Sequence, residues 1–151
     1  MKSVIFVCLG NICRSPLAEG IAKRLNEQHQ LGLTIASAGT GDWHIGEAPC
    51  PNSIKIAKQH NIDISTFKGQ QVKKSDFSDF DIIVGLDDSN IANLQALGCK
   101  DPLKLGDFGL DGEDVPDPYF FDGFNGFEKV FQMIETAVIE LFNAKIDNFS
   151  K

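Results

Sequence analysis

The chain has 151 residues, 42% of them hydrophobic and 23% charged, and carries a formal net charge of −7. That length suits one domain, 1–151, with a core of its own, and the composition argues against a disordered chain. The acidic balance, with no Lys/Arg stripe to offset it, argues against a nucleic-acid partner, and no apolar run approaches the length of a membrane span.

Met1-Lys2-Ser3 leads straight into Val4-Ile5-Phe6-Val7, a short buried strand, with no cleavable leader expected. The chain therefore reads as cytoplasmic, where thiols stay reduced. Next come Cys8-Leu9-Gly10-Asn11-Ile12-Cys13-Arg14-Ser15-Pro16 and a helix with Leu17, Ile21 and Leu25 at four-residue spacing. Ser15 has the character of an N-cap and Pro16 that of a first helical residue. Strand, tight loop and helix start thus follow one another. Amide N–H groups at such a helix start converge on one point, where the macrodipole favours an anion. Gly10 and Asn11 tolerate the dihedrals a nest requires, and Arg14 offers a planar fork of donors for phosphate oxygens. A helix start and a nearby cation also favour a thiolate. A strand-end cysteine alone is most often a small core residue. With Gly-Asn and an arginine following at this spacing, Cys8 reads as a nucleophile beneath a tetrahedral oxyanion.

Leu33-Thr34-Ile35-Ala36 reads as a second strand, and Pro49 and Pro51 open a helix through Ile54 to His60. Gly69-Gln70-Gln71-Val72 has the pattern of an irregular strand. Asp81-Ile82-Ile83-Val84-Gly85 is a buried strand, followed by a helix from Ser89 to Leu97 that Gly98 stops. Lys100 to Leu105 reads as a last short strand. Phe127, Val130, Phe131, Ile134, Val138, Leu141 and Phe142 follow the i, i+3, i+4, i+7 rule of a long amphipathic helix. Strands alternating with helices predict an α/β three-layer sandwich, with a central, mainly parallel four-stranded sheet and helices on both faces. Ligands of such sheets sit beyond the carboxyl ends of the strands. Cys8, Ser37, Leu86-Asp87 and the loop after Leu105 all fall there.

Lys104 to Pro118 is a long, acidic, Gly-rich connection of the kind that is usually functional or disordered. It holds Asp107, Asp111, Glu113, Asp114 and Asp117, and composition alone does not choose among them. Trp43, Tyr119 and Phe120 are candidate aromatic walls, with ordinary packing as the competing reading. The four cysteines, at 8, 13, 50 and 99, have no zinc-knuckle spacing, and the three histidines are scattered. No metal or other cofactor is expected, since Arg14 and the loop amides supply the positive field. Cys50 and Cys99 carry no signal beyond packing.

The loop resembles the C-x5-R-S loop of low-molecular-weight protein tyrosine phosphatases. The likeness extends through Ser37-Ala38-Gly39-Thr40, Asp42-Trp43-His44-Ile45-Gly46, Asp87-Asp88-Ser89-Asn90 and Asp117-Pro118-Tyr119. The resemblance implies hydrolysis of phosphotyrosine in a protein or peptide through a phosphocysteine on Cys8. It assigns Arg14 and the loop Leu9 to Ser15 to the phosphate, Asp117 to general acid and base, and Trp43 and Tyr119 to the substrate wall. It also favours Cys13 as a resolving thiol for an oxidised Cys8. The chain departs from the family at Phe67-Lys68-Gly69-Gln70, where His-Lys-Ala-Arg is the pattern. Phe67 removes a histidine that helps orient the aspartate matching Asp87, which is therefore left out of the catalytic set. His44 stands where asparagine is common. Three related classes are less well matched. Arsenate reductases need two closely spaced further cysteines, arginine phosphatases usually carry threonine at the place of Ile12, and a phosphocysteine carrier has no use for an acid at Asp117.

Overall fold

The computed structural model describes every residue except Met1, Asp122, Asn148, Ser150 and Lys151, and also leaves out the side chain of Phe120. Four strands, β1 (Ser3–Cys8), β2 (Thr34–Gly39), β3 (Ile82–Gly85) and β4 (Leu103–Lys104), form one sheet in the order β2-β1-β3-β4. All three pairings are parallel. The helices are α1 (Ser15–His29), α2 (Pro51–Gln59), α3 (Asp76–Asp79), α4 (Asp88–Ala96) and α5 (Asn125–Lys145).

Strand β1 is buried on both faces because its alternate side chains serve different layers. Val4, Phe6 and Cys8 join the main core with Leu17 and Ile21 of α1 and Phe127, Phe131 and Ile134 of α5. Ile5 and Val7 point the other way, into a smaller cluster with Ile83, Leu94 of α4, Cys99 and, at its edge, Phe77 of α3. The apolar stripe on α5 is wholly buried, as its spacing predicted. Each of its fully buried large side chains contributes roughly 2 kcal/mol of transfer free energy. The expected three-layer α/β architecture is present.

Boundaries differ where tertiary pairing outweighs local pattern. Strand β2 runs on to Gly39, because Ser37, Ala38 and Gly39 pair with Phe6, Val7 and Cys8 although small residues carry little strand signal. The segment expected as a strand at 69–72 makes a single bridge, Gly39 to Gln71. The last strand shrinks to Leu103–Lys104 and passes into a 3-10 turn at Leu105–Asp107. The short helix α3 has no counterpart in the sequence reading. One turn is too short to show periodicity, yet it supplies Phe77 to the thinner face.

The long connection after β4 is ordered by its own backbone. Gly112 N–H donates to the Gly106 carbonyl at 2.9 Å, and Val115 N–H to the Leu86 carbonyl at 2.9 Å. Leu105 and Val115 are fully buried. Val115 thereby fastens the end of this loop beside the exit of β3, which brings Asp117 to the carboxyl rim of the sheet.

Candidate active site

Parallel register fixes the frame, with Cys8 opposite Gly39 and Val7 opposite Gly85 at the carboxyl edge. The backbone of β2 then rides close to the loop, since Thr40 N–H donates to the Cys8 carbonyl (3.0 Å) and Gly41 N–H to the Leu9 carbonyl (2.9 Å). A Cβ on Gly39 would stand 2.7 Å from the Leu9 carbonyl oxygen and 3.1 Å from the Asn11 nitrogen. Only glycine lets the two chains approach this closely.

Inside the loop Asn11 adopts a left-handed backbone (φ 58°) and is almost wholly buried. Asparagine is among the few residues that accept such a conformation without large strain. Its side chain is fully used. Nδ2 donates to Ser15 Oγ (2.8 Å) and to Ser37 Oγ (2.9 Å), and Oδ1 accepts from Gln70 N–H (2.9 Å). Ser37 Oγ donates onward to Glu19 Oε1 at 2.6 Å, while Glu19 Oε2 pairs with Lys23 at 2.6 Å. Gln70 Nε2 closes the ring on the Ser37 carbonyl at 2.9 Å. This network, buried at Asn11, Ser15, Glu19 and Ser37, holds the loop without an imidazole. Phe67 instead packs against the main core, with the Lys23 ammonium 4.6 Å from its ring centre.

The Cys8 sulfur is buried, 3.0 Å from Ser15 Oγ and 3.3 Å from the Asn11 N–H. Both groups can donate a hydrogen bond to the sulfur. Ser15 was expected as an N-cap; it is instead the first residue of α1 and its hydroxyl faces the sulfur. Pro16 within the first turn satisfies the helix start without a side-chain cap.

Arg14 spends one nitrogen on the protein. Its Nη1 donates to Asp87 Oδ2 (2.7 Å) and to the Val115 carbonyl (2.9 Å). The pair is largely shielded, at 11% and 17% side-chain exposure. Among the described residues Nε and Nη2 have no protein partner, so one edge of the fork remains for phosphate. Asp87 is therefore part of the site, although the sequence reading set it aside. It does not depend on residue 67, because Asn90 supports it through a reciprocal cap at the start of α4: Asn90 N–H donates to Asp87 Oδ1 at 2.7 Å and Asn90 Oδ1 accepts from Asp87 N–H at 3.2 Å. Asp87-x-x-Asn90 was the available signal, a capping box readable in the sequence. Nothing local marked Glu19 beyond its i,i+4 partner Lys23.

Asp117 precedes a 3-10 turn, Pro118–Phe120, and its Oδ1 accepts from Tyr119 N–H at 2.9 Å. Asp117, Tyr119, Cys8, Gly10, Cys13 and Arg14 all border one cavity of about 250 Å³. Trp43 lies elsewhere. Its ring covers Gly41, and together with Leu9 it borders a second cavity of about 280 Å³. Leu9 is the partition between the two. The His44 ring lies against Gly10, and its Nδ1 is 3.2 Å from Glu47 Oε1.

Cys13, which the resemblance favours as a resolving thiol for Cys8, is here bonded to Cys50, with Cα atoms 5.3 Å apart, while Cys8 and Cys99 are free. Cys50, which carried no signal in the sequence, lies 37 positions away and is brought to the loop by α2. Among the described residues no three His, Cys, Asp or Glu side chains gather in a metal-binding group, and no helix is long and apolar enough to cross a membrane.

The loop carrying Asp117 is pinned by Lys104, whose Nζ is 2.9 Å from both Asp88 Oδ1 and Asp114 Oδ1 and 2.6 Å from the Gly112 carbonyl. Hydrogen bonding to Lys104 holds the Asp114 carboxyl below its ordinary value, and the Asp114 and Asp88 carboxylates raise Lys104. A depressed carboxylate contributes stability that is present above its unfolded pKa, about 4, and is lost as pH falls through the folded value. A raised lysine contributes stability that is present below about 10.4 and is lost at higher pH. Lys104→Met is therefore expected to lower the denaturant midpoint through the neutral range. Its difference from wild type should shrink in strong acid and strong alkali. A difference independent of pH would show that charge pairing is not what pins the loop.

The low molecular weight phosphotyrosine protein phosphatase model matches residues 3–150. The chain belongs to that family. It is a phosphoric monoester hydrolase of the cysteine-dependent class. It is 40% identical over 148 residues to the low molecular weight protein-tyrosine-phosphatase PtpA of Staphylococcus haemolyticus, covering 95% of this chain and 93% of the relative. In structure it resembles the protein tyrosine phosphatase of Entamoeba histolytica crystallised with Hepes in the active site, with a TM-score of 0.87, 33% identity and coverage of 95% and 96%. A drosophila arginine phosphatase is also similar, with a TM-score of 0.86, 32% identity and coverage of 97% and 99%.

Proposed function

We propose that this phosphatase hydrolyses phosphotyrosine in proteins or peptides, and small aryl phosphates, with Cys8 as nucleophile, Arg14 as phosphate clamp and Asp117 as general acid and base. The observation that carries this reading is the single cavity bordered by a buried sulfur, a half-engaged guanidinium, an aspartate and a tyrosine.

The phosphoryl oxygens lie among the amides of Leu9 to Ser15 and the open edge of Arg14. Asp87 and the Val115 carbonyl fix the guanidinium plane, so it needs little reorganisation as charge shifts in the transition state. The Cys8 thiolate attacks phosphorus in line with the leaving oxygen. Asp117 gives that oxygen a proton, so the alcohol departs neutral. A phosphocysteine remains, and the Asp117 carboxylate then takes a proton from the water that attacks it. Ser15 Oγ stabilises the departing thiolate in this second step through the contact it already makes. Tyr119, 61% exposed, flanks the cavity as an aromatic wall. Trp43, 64% exposed, lies beyond Leu9 and suits a neighbouring residue of the substrate better than the ring itself. A buried sulfur at the base of the cavity favours the long phosphotyrosine side chain over the shorter phosphoserine.

Phosphoarginine is the second reading, because an arginine phosphatase is among the similar structures. The apolar Ile12 in the loop weighs toward phosphotyrosine. A panel of phosphotyrosine, phosphoserine and phosphoarginine peptides at mildly acid to neutral pH tests the choice. Phosphotyrosine is expected to have the highest kcat/KM; preference for phosphoarginine would replace the substrate assignment and leave the cysteine chemistry standing.

A further inference from the structure

We propose that Cys50 is a further redox-active thiol of this site, which takes over a disulfide first formed between Cys8 and Cys13 and so returns Cys8 to its thiolate after oxidation. The inference rests on Cys8 being the reactive thiolate of the proposed function, and it adds the fate of that thiolate when it meets a peroxide.

Cys8 and Cys13 border the same cavity at the two ends of the loop, so the two thiols open onto one space when the protein is reduced. Cys13 also reaches Cys50, and the oxidised form has its bond there, leaving Cys8 free. The closeness of Cys13 and Cys50 does not depend on that bond. Cys50 N–H donates to the Ile12 carbonyl at 2.7 Å, and Ser53 Oγ donates to the Cys13 carbonyl at 3.0 Å. These contacts tie the far side of the loop to the first turn of α2 without using either sulfur. Cys50 is the residue immediately before α2, with Pro51 at its first position. Its sulfur therefore lies at the end of the helix whose dipole favours an anion. Cys99 belongs to the cluster on the opposite face of the sheet and takes no part.

The chemistry balances. The Cys8 thiolate attacks a peroxide oxygen, the O–O bond breaks, and Cys8 becomes a sulfenic acid with release of hydroxide, or an alcohol from an organic peroxide. The Cys13 thiolate attacks the Cys8 sulfur, the S–O bond breaks, and hydroxide leaves as water once protonated, giving a Cys8–Cys13 disulfide. The Cys50 thiolate attacks the Cys13 sulfur, and Cys8 departs as thiolate. The sum is one peroxide and two thiols converted to two waters, or water and an alcohol, and the Cys13–Cys50 disulfide. An external dithiol resets the pair. Cys8 thus escapes both a lasting disulfide and further oxidation to the irreversible acids.

The test begins with fully reduced protein freed of reductant under argon and given one equivalent of hydrogen peroxide. Samples are quenched over time with an alkylating agent, and disulfides are mapped by mass spectrometry beside phosphatase assays. The expected course is an early Cys8–Cys13 bond with loss of activity, then a Cys13–Cys50 bond with activity returning although no reductant is present. Cys50→Ser and Cys50→Ala should both stop at Cys8–Cys13 and recover only on adding dithiothreitol. In Cys8→Ser, the Cys13–Cys50 bond should form more slowly by roughly an order of magnitude or more, since the reactive thiolate is gone. Equal rates of that bond in Cys8→Ser and wild type would overturn the proposal, as would unaided recovery of a Cys50 variant. Failure of the phosphatase reading itself would look different: no turnover before peroxide, and no preferential alkylation of Cys8 in the reduced protein.

Discussion

Replacing Cys8 with serine is expected to abolish turnover, by roughly 10⁴-fold or more, while phosphotyrosine peptides still bind. The separation follows from which atoms do what. In the proposed mechanism phosphate is held by the amides of the loop and by Arg14 rather than by the sulfur. Asn11 keeps the loop in shape through Ser15, Ser37 and Gln70. A hydroxyl at position 8 can accept the same hydrogen bonds but is a far poorer nucleophile at neutral pH. Binding is measured by calorimetry with a phosphopeptide and turnover by phosphate release. Turnover near the wild-type rate would remove Cys8 as the nucleophile; loss of binding together with turnover would show that the sulfur also shapes the loop.

The second large effect is expected at Asp117. Asp117→Asn keeps an oxygen able to accept from Tyr119 N–H, so the turn before Pro118–Phe120 should persist. What is lost is the proton. Esters of poorly activated phenols should slow by roughly 10² to 10⁴, the usual contribution of a positioned acid, whereas esters with good leaving groups should slow much less. A plot of log kcat/KM against leaving-group pKa should therefore be steeper for the variant. Parallel slopes would mean that Asp117 shapes the mouth of the cavity and donates nothing.

The acidic body of the protein gives these assignments a physical context. With a net charge of −7, a phosphorylated partner meets general repulsion, and attraction has to be local. The loop amides and the open edge of Arg14 are the proposed source of that attraction. Asp87 lies close enough to neutralise part of the guanidinium, yet it occupies only Nη1. The arginine is thus anchored and oriented while its other edge stays open. That arrangement favours a dianion that replaces water at the open edge over an anion that would have to displace Asp87.

Much of this molecule was legible in the sequence because it is written locally. A strand, a Gly-Asn turn, an arginine and a helix start lie within a dozen consecutive residues, so Cys8, Arg14 and the loop between them were evident from spacing and hydrogen-bonding needs. The burial of α5 was equally plain, since one stripe at helical period can only face a core. The rim was readable too, because parallel strands place their carboxyl ends together. Other features came only with tertiary structure. Arg14 meets Asp87, 73 positions away, because β1 and β3 are neighbours, and no local pattern reports which strands will pair. Trp43 and Tyr119 sit on different sides of Leu9 because one follows β2 and the other follows the loop pinned by Lys104. The partner of Cys13 was hidden for the same reason: α2 delivers Cys50 to the outer side of the loop, and a separation of 37 residues says nothing about distance in space. Sequence determined the chemistry each element carries, since that depends on neighbouring residues along the chain. Folding alone decided which of those elements meet, since that depends on crossovers and packing between residues far apart in it.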